Sequence, residues 1–127
     1  MHAAVATRYD ATVHLLSQVG LVALDGGLED EAERIFGYVR RVLADPAPLE
    51  VSRAIVVLGN GRPLDAVRML RTEVLESDAT HAAANAVLGV ALRAAGMPGA
   101  RACFETVLAV SLDVESRSIA AMGLTQT

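Results

Sequence analysis

The sequence has no tryptophan, no lysine and a single cysteine, and aromatic residues make up only 3% of its 127 positions. Each scarcity excludes something. One cysteine, Cys103, permits no intrachain disulfide, which fits a reducing compartment and leaves packing alone to hold the fold. A chain of this length buries about two-thirds of its unfolded surface, so packing is sufficient for one small domain or repeat array spanning 1–127. Few aromatics beside abundant alanine, leucine and valine favour close-packed helices over sheet, because alanine and leucine lose little in a helix and strands favour aromatics. The basic residues are all arginine, and a formal charge of −4 does not support a basic stripe for nucleic acid. The longest uncharged runs, Ala11–Leu24 and Ala79–Leu92, hold 14 residues each, against the about 20 that a membrane span takes. Met1 to Asp10 shows no basic stretch leading into an apolar core, so no signal peptide is read and the cytoplasm is the expected location.

What is present is a repeat. Three helix-breaking turns stand out: Asp25-Gly26-Gly27, Asn60-Gly61-Arg62-Pro63 and Gly96-Met97-Pro98-Gly99. Gly27 to Gly61 is 34 positions and Gly61 to Gly96 is 35. Small residues recur seven positions before each turn glycine, at Gly20, Ala54 and Gly89. Ala32, Ala66 and Ala100 follow the turns at intervals of 34, and Phe36, Leu70 and Phe104 do the same. Small residues at fixed points let two helices approach, and a bulky residue one turn beyond the alanine fills the gap to the next helix.

Apolar spacing agrees. Ala32, Ile35, Phe36, Val39, Val42 and Leu43 follow helical periodicity, as do Ala100, Cys103, Phe104, Val107 and Leu108. Carboxylates at Glu29, Asp30, Glu31 and Glu33 oppose a helix dipole at its start, and Pro63 and Pro98 sit where a first helical position tolerates proline. Asp45-Pro46-Ala47-Pro48 is a stiff break. The pattern predicts helices over 8–24, 29–44, 49–59, 63–77, 80–95, 99–110 and 112–122, the last begun by Ser111 and closed by Gly123. The expected fold is therefore all-α: three stacked antiparallel helix pairs plus a C-terminal capping helix.

Catalytic chemistry finds little support. Gly59-Asn60-Gly61 after an apolar run could open a dinucleotide fingerprint, but Leu64 holds the third glycine position and the repeat places the segment at a helix end. His2, His14 and His81 are scattered, and with one cysteine no zinc spacing arises, so no metal and no cofactor is expected. Cys103 shares the apolar face of Phe104 and reads as a buried, inert thiol. The acidic cluster at Asp25 and Glu29–Glu33 reads as a solvated helix start before it reads as a docking patch. No nucleophile, base and orienting group can be assembled, and the chain is not expected to be an enzyme.

The 34-residue step, the small residue of the first helix, the turn glycine and the alanine of the second helix resemble the tetratricopeptide repeat over about residues 13–112. The positions where that family usually carries aromatics hold Leu16 and Ala23, Glu50 and Val57, and Asn85 and Leu92. Leu28-Glu29-Asp30-Glu31-Ala32-Glu33, Gly61-Arg62-Pro63-Leu64-Asp65-Ala66 and the segment from Leu88 to Pro98 are similar to small tetratricopeptide-like proteins of bacterial type III secretion. Two groups share that likeness: the HrpK-type family and the needle-subunit chaperones of the YscG and PscG kind. The resemblance implies a concave groove lined by the first helix of each pair, at His14, Ser17, Leu21 and Leu24, then Val51, Ile55 and Leu58, then Ala83, Ala86, Val90 and Arg93. This lining lacks the Lys and Asn set with which some tetratricopeptide proteins clamp a terminal carboxylate: Ser17 and Leu21 occupy two of those places. An oily groove suits the apolar stripe of an amphipathic helix. The expected partner is such a helix from a secreted or needle subunit, held by a protein-binding chaperone. Two alternatives stay open: these residues pack internally under the helix at 112–122, or they close a homodimer as part of a scaffold.

Overall fold

The structure is a computed structural model that describes residues 2–126, with side chains described from Ala11 to Gln126. Among them the chain is all-helical: α1 (His2–Asp25), α2 (Glu29–Val42), α3 (Ala47–Gly59), α4 (Pro63–Leu70), α5 (Ala82–Ala94), α6 (Ala100–Val110) and α7 (Val114–Thr125). The end of α4 continues through a π-helical turn, Arg71–Leu75. The residues form two compact units, Met1–Leu49 and Glu50–Thr127.

Three hairpin turns share one construction. Gly27, Gly61 and Gly96 adopt φ of 84°, 80° and 69°, the left-handed region that glycine enters without a Cβ clash. At each, the glycine N–H donates three residues back, to the carbonyls of Leu24, Leu58 and Arg93 at 3.0–3.1 Å. The following N–H donates five residues back: Leu28 to Ala23, Arg62 to Val57 and Met97 to Leu92, at 2.8, 3.2 and 2.8 Å. This pair of bonds satisfies the last carbonyls of a helix and reverses the chain. The predicted period is thus written into the backbone.

In the first unit α2 lies back against α1. Ala32, Phe36 and Val39 are fully buried on its inner face, and a Cβ added at Gly20 would lie 2.7 Å from the Phe36 ring. Glu29, Asp30 and Glu31 open α2 and Arg40 and Arg41 close it, in the order that its dipole favours.

In the second unit α5 is central, packing on α4, α6 and α7 and burying Ala84 through Gly89 with Ala91 and Leu92. His81 starts α5 by accepting the Ala84 N–H at Nδ1, 3.2 Å. Asn85 donates Nδ2 to the Ala79 and His81 carbonyls at 3.0 Å each and so ties down the preceding turn. Glu50, at the matching place in α3, is buried and pairs with Arg53 at 2.6 Å.

The one-residue irregularity between the second and third turns has a location. Leu70 to Gly89 is 19 positions, against 18 from Phe36 to Ala54, and the π turn falls within that interval. A π turn is how a helix takes in an extra residue. The 34-step to Ala100 is then recovered in a tighter turn. Pro98 is not the first residue of a helix, as its neighbourhood predicted: Gly99, at φ 108°, precedes α6, which begins at Ala100. Pro63 does open α4.

The last helix also departs from expectation. Its N-cap is Asp113, whose Oδ2 accepts the Ser116 N–H at 2.9 Å, while Ser111 Oγ accepts the Asp113 N–H at 3.0 Å. Arg117 reaches back from α7 to the Leu108 and Ser111 carbonyls at the end of α6, 2.8 and 2.9 Å away. Gly123 does not close the helix; it lies inside it and extends the series Gly20, Ala54, Gly89 by a further step of 34. The Phe104 ring, fully buried, touches both Gly89 and Gly123 where a Cβ would otherwise stand.

Candidate functional site

The groove expected from the resemblance is only partly assembled within the second unit. Four helices of that unit surround a cavity of about 670 Å³. Ile55 and Leu58 come from α3, Val87, Val90, Arg93 and Ala94 from α5, and Phe104 from α6. α7 supplies Ile119, Met122 and Gly123, with Gln126 just beyond its end. Helical spacing puts Val87, Val90 and Arg93 on adjoining turns of one α5 face, and Gly123 lets α7 come close enough to form a wall.

Of the sequence-predicted residues, Ile55, Leu58, Val90 and Arg93 line this cavity. Val51 on α3 and Ala86 on α5 are both buried, Ala86 completely, and neither lines the cavity; Ala86 sits in a helix that α4, α6 and α7 all pack against. Ala83 is half-buried and outside the cavity lining. In the first unit, His14 is exposed, Leu21 half-buried and Leu24 buried. Ser17 turns its hydroxyl onto the Val13 carbonyl at 2.8 Å. The alternative in which these residues pack under the helix at 112–122 pointed to α7, but it named none of the α7 residues that line the cavity; the signal available for Gly123 was the 34-residue step from Gly89.

The rim and floor differ in character. Phe104 and Val87 are buried at the floor. Ile55, Val90 and Met122 are large apolar side chains left 51%, 41% and 62% exposed at the edge. Arg93 is the ionisable residue of the lining. Its Nη1 donates to the Gly123 carbonyl, and its Cζ stands 5.0 Å from the Phe104 ring centroid, a cation–π distance. It therefore fastens α7 to α5 through the cavity wall.

Reactive groups lie elsewhere and are quiet. Cys103 is half-buried; burial pushes its thiol up, and Arg71 nearby draws it partly back. A thiol so placed is a poor nucleophile at neutral pH. Asp65 is held below the usual carboxylate value by its hydrogen bond from Arg62, with Arg68 adding to the effect. Among the described residues no group of three or more His, Cys, Asp or Glu could hold a metal ion. Among the same residues no helix is long and apolar enough to cross a membrane. His2 lies outside the residues whose side chains are described. No protein-family profile matches the chain, and no curated protein or solved structure matches it.

Proposed function

We propose that the chain is a non-catalytic protein-binding module whose α3–α5–α7 cavity receives the apolar side chains of a partner's amphipathic helix. The observation that carries this reading is the cavity itself: an apolar floor ringed by exposed Ile55, Val90 and Met122. A helix seated by its i, i+3, i+4, i+7 row would cover these side chains and fill the space between them. With the resemblance to type III secretion proteins, the partner is a secreted or needle subunit and the role is that of a cytoplasmic chaperone or accessory protein. A subunit built to polymerise exposes an apolar stripe, and covering that stripe blocks premature assembly.

Ile55 and Val90 are exposed enough for a charge to be tolerated by the fold, so they test the site rather than stability. Ile55→Asp and Val90→Asp abolish co-purification of the partner from the native host while helicity by circular dichroism is unchanged. Capture that persists in both variants contradicts the reading. A second reading, a homo-oligomeric scaffold, draws on Leu15, Val19 and Val22, an exposed apolar row on α1 at 59%, 46% and 72%. Light scattering distinguishes them: a stable dimer dispersed by Val22→Asp supports the scaffold, and a monomer supports the chaperone.

A further inference from the structure

We infer that the same cavity is a binding site for a single-chain amphiphile with an anionic head, its chain on the apolar floor and its carboxylate on Arg93. This stands apart from the helix-docking reading, since it needs no protein partner. The cavity's size falls within the range of about 300–1,000 Å³ in which small-molecule sites are found, and its place between packed helices is a usual one for them. Val87, Phe104 and Ile119 offer a chain apolar contact from two helices and from α7.

Arg93 supplies the cavity's charge. Four other arginines of this unit stand beside carboxylates: Arg53 by Glu50, Arg62 and Arg68 by Asp65, Arg101 by Glu105. Arg117 spends its Nη1 on the Leu108 and Ser111 carbonyls, and neither it nor Arg71 lines the cavity. Among the described residues, no carboxylate lies within ion-pair distance of Arg93. Its one hydrogen-bond acceptor is the Gly123 carbonyl, in the closing turns of α7, which brings partial negative charge and no more. A guanidinium carries five donors, so most remain for an incoming group. A carboxylate matches that fork in charge and shape. A cationic head would meet like charge, and a neutral one would leave the arginine as it is.

Calorimetric titration of the full chain with decanoate and with decyltrimethylammonium, both below their micelle concentrations, tests the inference. Decanoate binds one per chain and about tenfold or more tighter than the ammonium compound, the ratio expected of one charge-assisted contact. Arg93→Gln brings the two to parity, Arg93→Lys keeps a preference for the carboxylate, and Val90→Asp at the rim weakens decanoate by tenfold or more. Equal affinity of the two heads for the unaltered chain, or binding of neither, overturns the inference. So does an Arg93→Gln chain of normal helicity that still prefers decanoate. Where Arg93→Gln loosens α7, the head-group comparison on the unaltered chain decides alone.

Discussion

Phe104 has room for its ring because two neighbouring helices each present a glycine to it. The first hairpin uses the same device, Gly20 beneath Phe36, and the second hairpin changes both members of the series, to Ala54 and Leu70. The exchange keeps volume roughly constant: a methyl is added to one helix and a ring is reduced on the other. Gly89→Ala is accordingly expected to destabilise by about 1–3 kcal/mol through overpacking. Adding Phe104→Leu to that chain should recover part of the loss, so that the two substitutions are not additive in urea melts. Additive losses would contradict the contact. Asp113 makes a second prediction. The hydrogen bonds it accepts from Ser116 hold its carboxyl below the ordinary value. Its contribution is therefore present above the unfolded value of about 3.9 and lost as pH falls through the lower folded one. Relative to an Asp113→Asn chain, which caps without charge, the native chain should gain thermal stability above about pH 4 and lose that gain below it. Residues of this kind were unevenly legible in the sequence. The Gly20/Phe36 and Gly89/Phe104 pairs follow from the step, but Ser111 and Asp113 are both good caps two positions apart, and only geometry chooses Asp113.

At the scale of the element, the turns were legible because their chemistry is local. A left-handed residue after a helix calls for glycine, and glycine stood at the repeat interval. A Cβ at Gly27, Gly61 or Gly96 would meet no atom within 4 Å, so substitution there costs backbone strain alone. Gly27→Ala, Gly61→Ala and Gly96→Ala should each cost about 1–2 kcal/mol, and similar amounts. A marked inequality in their denaturation midpoints would show that the turns are not equivalent. The π turn and the end of α7 were not legible. The extra residue between Leu70 and Gly89 could be placed in a loop or a helix, and spacing does not say which. Gly123, after an apolar run, looks like a helix stop; it remains helical because Phe104 and Arg93 pack and bond to α7 there.

At the scale of the molecule, helix content and the order of the hairpins followed from periodicity, whereas the site followed only in part. Ile55, Leu58, Val90 and Arg93 were reachable from the repeat register, since exposed or half-exposed positions on the first helices keep their direction from one repeat to the next. Ala86 was not, because burial depends on every neighbour a helix has, and α5 packs on α4, α6 and α7; Val51 on α3 is buried as well. Val87, Ile119 and Met122 become part of a site only once α7 is placed. Hydrogen–deuterium exchange of the chain with and without its captured partner tests the docking claim most directly. The account predicts slowed exchange across α3, the Val87–Ala94 half of α5 and α7, with α2 unchanged. Protection confined to α1 and α2, or spread evenly along the chain, would contradict it.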